Sequence, residues 1–485
     1  ELGATMTDNV DATITDLQPT KINLYDLNGK FLGNVTETGV DTTVEGRYLL
    51  YYDYVDGAGN SSKTDNGYTP YDAKRWVIVE DTTAPKITGV ANNTTYFGSI
   101  DYNMSDVNGI KYIYYDFTHN YQSCEELIEA YNNGISGVGR EDVKGKTDYA
   151  GNYPIPAGYA FKGVSYCAVD NGYNENKTFM NNISVYADTS ADTILKAISE
   201  NNGTIILPKN QNIILNQDLV INANTTIVGN GATVSGKVII AGDNVVVKDI
   251  KLTDNLVVTG SNAVLDGVTM LNVNSAGTGK GNGYQVIKVN TNGNFTMKNS
   301  VIDNTYSKGS FYNAINISAK GKVEIENNKF INIENVYNII EFSQSTPTAT
   351  GTIIKGNEFT GMSKNNVISM FLFEDGNVIT IEDNYFDFSG NALRISNYSN
   401  AKNVVINVNN NKYNDTLDGE YAGFMFFQEV KNESFAGITI NVTNLIGPDD
   451  VKITSTTTGK HSFNYYYSDH NSLTKEDYAT INFLD

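Results

Sequence analysis

The side chains able to do chemistry in this sequence are few, and most are acidic. Asp53, Asp56, Asp106 and Asp170 lie in or beside turn-forming stretches such as Ser-Asp-Val-Asn-Gly at 105–109. Carboxylates gathered in turns suit a hard cation, and Ca2+ is the one they fit. The same residues serve equally as Asx turns with no ligand, so the expected cofactor is Ca2+ or none. Histidine occurs only at His119, His461 and His470, and arginine only at Arg47, Arg75, Arg140 and Arg394. Arg394 sits in Asn-Ala-Leu-Arg-Ile-Ser-Asn, an alternation that turns it outward and predicts a solvated arginine rather than a base. Glu382 and Asp383 are adjacent, so on a strand they face opposite sides. Asp449-Asp450 follow Gly447-Pro448, which reads as a turn. No carboxylate pair stands out for general acid–base work. No catalytic residue is assigned, and the chain is expected not to be an enzyme. Cys124 and Cys167, the only cysteines, make either one disulfide or two buried thiols.

The background is acidic and polar. A formal charge of −21 over 485 residues repels phosphate backbones and anionic lipid, so nucleic acid and membrane surfaces are poor partners. No apolar run is long enough to cross a bilayer. The sequence starts at Glu1 with no visible signal peptide and reads as a processed product or a fragment. Asn, Gly, Thr and β-branched residues dominate and proline is scarce, a pattern of strands joined by tight turns.

Residues 1–83 show short alternating runs. Ile22 and Leu24 are set against Phe31 and Leu32 across an Asn28-Gly29 turn, a hairpin signature. Ala84-Pro85 interrupts the next run and marks a boundary. Gly46-Arg47-Tyr48, the turn Asp56-Gly57-Ala58-Gly59-Asn60, the strand Trp76–Val79 and the linker Asp81-Thr82-Thr83-Ala84-Pro85 together resemble the bacterial immunoglobulin-like domains of surface proteins. A second, looser copy occupies 84–188, with Asp170–Asn176 in place of Asp56–Asn60. It carries an insertion in which Glu125, Leu127, Ile128 and Tyr131 predict a short helix. The resemblance implies two β-sandwiches outside the cell, acting as rigid spacers.

From about 189 the pattern changes. Ser190–Gly203 predicts an amphipathic helix capped by Asp192 and ended by Gly203. Short apolar runs bounded by Asn, Gly or Asp follow it. Then a long period appears: Ile325, Ile354, Ile381 and Val408 start matching segments, spaced 29, 27 and 27. The fourth place is Asn328, Asn357, Asn384 and Asn411; the sixth is Phe330, Phe359, Phe386 and Tyr413. Stacked coils of a parallel solenoid explain both columns. An Asn at each turn adopts left-handed backbone and hydrogen-bonds its counterparts, while the rings pile up inside. The helix covers the open end.

Residues 189–447 resemble the pectate-lyase-like right-handed parallel β-helix superfamily, and 448–485 are expected to supply a C-terminal β cap or edge strands. The fold class is thus all-β: two Ig-like sandwiches, a capping helix and a right-handed parallel β-helix. That superfamily includes polysaccharide lyases and hydrolases, but their clustered Asp, His, Arg and Lys have no counterpart picked out here. The reading is an extracellular, cell-surface structural protein of surface-layer, adhesin-like or appendage type. Its partners are copies of itself or neighbouring subunits, and wall or host glycans. The alternative is a carbohydrate-active or tailspike-like enzyme, or a glycan-binding module using rings such as Tyr465–Tyr467 and Phe424–Phe427. Asn-x-Ser/Thr acceptors occur at Asn34, Asn60, Asn93, Asn176, Asn224, Asn316, Asn397 and Asn441.

Overall fold

The computed structural model of the chain describes residues 4–6, 14–61, 73–153, 159–172, 174–273, 285–303, 313–342, 351–372, 374–397, 399–415, 424–429, 434–457, 463–467 and 475–484. The chain is mainly β and forms two compact units. One comprises Glu1–Asn92, Ile100–Tyr153 and Phe161–Ile183; the other comprises Asn93–Ser99, Pro154–Ala160 and Ser184–Asp485.

The first unit is antiparallel. Strands run in the order Phe31–Asn34, Lys21–Tyr25, Gly46–Tyr51, Lys74–Val79. One face buries Ile22, Tyr48, Leu50 and Tyr52. The hairpin turn runs through Asp26–Lys30, with Gly29 at φ 90°, where a β-carbon would be strained. Further along, Ile100–Asp116 pairs with Val138–Tyr153 on one side and with Ala160–Asp170 on the other. The inserted helix is Cys124–Asn132, capped by Ser123, and it buries Leu127 and Ala130. Cys124 and Cys167 are joined as a disulfide, which settles the alternative of two thiols. The tie spans 43 residues and contributes roughly 2–4 kcal/mol by limiting the unfolded chain.

The second unit is a parallel β-helix-like solenoid. One column of parallel strands runs from Gly203–Ile206 through Thr225–Val228, Phe295–Lys298, Val323–Glu326 and Thr352–Lys355 to Ile438–Thr443 and Thr480–Phe483. Burial alternates along these strands, so one side chain in two points into a continuous aliphatic core. In the later coils two short runs fuse into single bent strands, Lys329–Phe342, Glu358–Phe371 and Tyr385–Ser396. The helix is Ala191–Glu200, and it buries Ile194, Leu195, Ala197 and Ile198. Its cap is Ser190 rather than Asp192, because the Ser190 hydroxyl lies on the Thr193 N–H. Its last turn closes at Asn201, and Gly203 already begins a strand.

The four asparagines stand over one another. Asn328 Nδ2 donates to Asn357 Oδ1 at 3.0 Å, Asn357 to Asn384 at 2.9 Å, and Asn384 to Asn411 at 3.0 Å. Each Oδ1 also accepts the backbone N–H of the Asn in the coil before it. The left-handed backbone belongs to a different residue than expected. Asn327, Gly356, Asp383 and Asn410, one place earlier, carry positive φ. The division is physical: one residue turns the chain sharply, which frees the next to point its amide inward. Phe330 and Phe359 stack with centroids 4.7 Å apart, Phe359 and Phe386 at 5.1 Å. Tyr413 continues the register beside Phe386.

Candidate functional site

Two clusters could carry function, one in each unit. In the first unit Asp106, on strand Ile100–Asp116, and Asp170, ending strand Ala160–Asp170, are both buried. Asp81, just beyond strand Lys74–Val79, joins them, and one carboxylate oxygen from each lies within 4.8 Å of the others. Backbone and amide donors set the carboxylates in place. Asp170 Oδ1 accepts from Gly172 N–H (3.1 Å) and Oδ2 from Asn176 Nδ2 (2.9 Å). Asp106 Oδ1 accepts from Asn108 N–H (2.9 Å), and Asp81 Oδ1 from Thr83 N–H (2.9 Å) and hydroxyl (2.6 Å). Asp81 Oδ2 is buried and takes no hydrogen bond from the described residues. Burial pushes the Asp106 and Asp170 carboxyls up, and the neighbouring Asp81 charge adds to it. Among the described residues no lysine or arginine pairs with any of the three. Three converging hard oxygen donors, one with an unused buried lone pair, fit a divalent cation of the Ca2+ class.

Asp53 and Asp56 lie elsewhere. Asp56 spends both oxygens on its own turn, accepting from Ala58 N–H, Asn60 N–H and Asn60 Nδ2, which hold its carboxyl below the usual range. Asp53 accepts from the Ser61 hydroxyl at 3.1 Å. Asp81 was legible only as part of a linker. Nothing in its spacing says that this linker meets two turns 25 and 89 residues later.

No family model matches this chain, and no curated protein matches it. Two solved structures are similar to it in fold. One is a PL6 alginate lyase in complex with a trisaccharide, 11% identical, covering 60% of this chain and 82% of its own, with a TM-score of 0.33. The other is the catalytic unit of a thermostable GH87 α-1,3-glucanase from Streptomyces thermodiastaticus strain HF3-3, 9% identical, covering 79% and 89%, also at 0.33.

In the second unit, strand register places Lys288, Asn316, Glu341, Ser369 and Arg394 in one column across successive coils. Arg394 is not the solvated arginine its alternation predicts. It is 6% exposed, its Nη1 reaches the Ser369 hydroxyl (3.4 Å), and its guanidinium lies 4.8 Å from the Phe371 ring centre. Alternation gave its side of the strand correctly, but this strand is buried on both sides from 391 to 397. Glu341 accepts from Asn316 Nδ2 (3.1 Å) and Asn338 Nδ2 (2.8 Å). Burial raises its carboxyl, while Asn313, Asn338 and the Arg394 charge pull the other way. Such an acid keeps its proton above the ordinary 4.5. Among the described residues no second carboxylate shares the column, which runs from exposed Lys288 to buried Ser369 and Arg394.

Because the folded acid holds its proton more tightly than the unfolded one, its contribution to stability is full below about pH 4.5 and is lost as pH rises through the raised value. Glu341→Gln is expected to flatten that decline, read as urea midpoints against pH by circular dichroism.

Of the other candidates, His119 is tied through Nδ1 to Asp116 (2.9 Å), a buried carboxylate that also receives the Tyr121 hydroxyl (3.0 Å) and lifts that phenol, with burial, to about 12. The Ser165 hydroxyl nearby points to the His119 carbonyl (3.4 Å), so this is a turn lock, not an activated nucleophile. His461 and His470 lie outside the described residues, as do the side chains of Tyr465–Tyr467 and Phe426. Phe424 and Phe427 are fully buried core residues, not sugar-stacking rings. Glu382 and Asp383 share one lysine, Lys355, at 3.1 and 3.6 Å. Asp450 pairs with Lys412 at 2.6 Å. Asn397 is fully buried, with its amide on the Ala401 and Ser434 carbonyls, so the folded chain does not offer it as an acceptor.

Proposed function

We propose that this chain is an extracellular structural component of a cell surface, in which the antiparallel unit holds immunoglobulin-like spacers and the β-helix is a stiff rod. The observation that carries the reading is where the buried polar groups go. Asn328, Asn357, Asn384 and Asn411 are consumed in bonds between coils, as are Asn313, Asn338, Asn366 and Asn391 in a second buried ladder. Chemistry needs exposed or convergent groups; these serve rigidity. The disulfide suits an oxidising compartment. Two turns support the spacer assignment: Asp56 and Asp170 each accept from a backbone N–H two residues on and from a following Asn amide. Labelling intact source cells with a membrane-impermeant amine reagent tests it. The chain is expected to be labelled and shed by external protease; recovery unlabelled from the cell interior sinks the reading.

A cation of the Ca2+ class at Asp81, Asp106 and Asp170 would stiffen the spacer unit. At a concentration one hundred times its dissociation constant it adds about 2.7 kcal/mol to stability. Calcium added to chelator-treated protein is expected to raise the melting temperature of this unit, and Asp106→Asn to remove most of that rise. An identical rise in the variant would rule the site out.

A second reading, recognition or turnover of glycans, is favoured by the Asn316–Glu341–Ser369–Arg394 column. It predicts new ultraviolet absorbance from uronic-acid polysaccharides, or new reducing ends from neutral ones, lost in Glu341→Gln. Such activity would displace the structural reading.

A further inference from the structure

The Asn-x-Ser/Thr acceptors differ in what the fold has already done with their amides. Asn60 Nδ2 is given to Asp56 (2.7 Å), Asn176 to the Asp81 carbonyl and Asp170 (both 2.9 Å), Asn316 to Glu341 (3.1 Å) and Asn441 to Asn407 (3.0 Å). Asn397 is fully buried. In a second group the hydroxyl residue lies in a strand paired on both sides. Thr95, which completes the acceptor at Asn93, is flanked by Ser184 and Ile205. Thr226, which completes that at Asn224, is flanked by Thr204 and Val246. Such a segment cannot enter a transferase cleft without breaking two ladders. Asn34-Val35-Thr36 is built otherwise. Asn34 is exposed and ends strand Phe31–Asn34, an edge of the four-stranded sheet. Its Oδ1 accepts from the Thr36 N–H (3.0 Å) and hydroxyl (2.7 Å), and that hydroxyl accepts from the Ile22 N–H (2.9 Å). These bonds lock the carboxamide by its oxygen and leave Nδ2 without a bond to any described residue. Downstream the chain turns at Gly39 (φ 77°), whose N–H closes on the Val35 carbonyl (2.8 Å).

We propose that Asn34 is a site of N-linked glycan attachment to the folded chain, a step that rests on the extracellular reading because it follows export. The donor is a glycan carried on a polyprenyl phosphate or diphosphate. Asn34 Nδ2 forms the bond to the anomeric carbon of the first sugar. The carbon–oxygen bond to the phosphate breaks, the phosphate keeps that electron pair, and the amide proton passes to a base of the transferase. Nothing is oxidised or reduced. The turn suits an acceptor. It holds hydroxyl and carboxamide in contact, so the transferase meets both determinants already placed and need not order them on binding. The position also gives the sugar a use. Phe31 and Leu32 are 54% and 53% exposed, on an edge strand whose sequence, Phe-Leu-Gly-Asn, holds neither charge nor proline. Such an edge invites pairing with another strand, and a hydrated glycan at its end covers it.

Mass spectrometry of proteolytic peptides from the chain purified from its source cells tests the proposal. The peptide holding Asn34 is expected to show a series of masses separated by sugar units, and Asn34→Gln made in the same cells to lose that series. Thr36→Ser, which keeps the hydroxyl, is expected to retain the glycan, and Thr36→Ala to lose it. Peptides holding Asn316, Asn397 and Asn441 are expected at their unmodified masses. An Asn34 peptide found only at its unmodified mass overturns the proposal. Glycans at Asn316 and Asn397 as well would mean that transfer precedes folding, which overturns selection by the folded chain. Surface location is judged apart, by the impermeant label. A labelled chain with bare Asn34 sinks this site alone, whereas an unlabelled chain recovered from the cell interior sinks both.

Discussion

Asn357→Ala is expected to lower the stability of the solenoid by about 3–5 kcal/mol. The side chain makes four bonds in a buried column. Its Nδ2 donates to the Ile325 carbonyl (2.8 Å) and to Asn384 Oδ1 (2.9 Å), and its Oδ1 accepts from the backbone and amide of Asn328 (2.9 and 3.0 Å). Alanine leaves the Asn328 N–H buried and unpaired, at about 1–3 kcal/mol, removes the amide bonds to Asn384 and to the Ile325 carbonyl, which stays in its strand ladder, and opens a cavity beside them. Asn357→Asp keeps the shape but turns a donor into an acceptor facing two acceptors. At neutral pH it must bury a charge, so its loss is expected to exceed that of alanine and to shrink as pH falls and the carboxyl is protonated. The control is Asn262, in a ladder exposed to solvent, where Asn244 and Asn294 are its neighbours at 3.0 and 3.1 Å. Water replaces those bonds, and what remains is mainly the strain of alanine on left-handed backbone (φ 57°), so Asn262→Ala is expected to cost about 1–2 kcal/mol. Far-ultraviolet circular dichroism is the readout, because the single tryptophan, Trp76, lies in the other unit. Equal losses at positions 357 and 262 would mean that the buried amides do not hold the coils together.

The ladder at 328–411 was legible because three signals coincide. An aliphatic start, an Asn and an aromatic hold fixed offsets inside each segment, and the segments recur at 29, 27 and 27. The other ladders lack that redundancy. Asn313, Asn338, Asn366 and Asn391 each precede two apolar residues, a pattern shared by many strands here, and their separations are 25, 28 and 25. The exposed ladder Asn224, Asn244, Asn262, Asn294 is spaced 20, 18 and 32. Coils differ in length because their turns take insertions, while strand pairing fixes only which residues stack. A search for a constant period therefore finds the later coils and misses the earlier ones. Convergence of distant turns leaves no local trace either, so Asp106 and Asp170 were grouped with Asp53 and Asp56 as turn residues open to Ca2+, and Asp81 was read only as part of a linker. Arg394 shows the complementary limit: alternation reports which side of a strand a residue takes, not what covers that side.

Phe359→Ala is expected to cost about 5 kcal/mol, by a different mechanism from Asn357. No polar group is stranded; a fully buried ring is removed from between two others. Phe330 lies 4.7 Å away and tilted by 10°, Phe386 5.1 Å away and tilted by 3°. Truncating a buried Phe costs about 3–5 kcal/mol through lost transfer energy and the cavity, and each ring contact adds about 0.5–1.5. Coil spacing is set by backbone hydrogen bonds near 4.8 Å, so the neighbouring rings cannot close the gap without breaking the ladder above or below. The ends of the stack should respond less. Phe330 meets a ring on one side only, its register partner on the other being Ile302, so Phe330→Ala is expected to cost about 1 kcal/mol less than Phe359→Ala. Phe359→Leu, which keeps most of the volume, is expected to cost under about 2 kcal/mol. The double substitution of Phe330 and Phe359 separates stacking from burial: its loss should fall short of the sum by about the energy of one ring pair. If the two losses simply add, the rings fill space without contacting one another favourably, and the coils are held by their amides and aliphatic core alone.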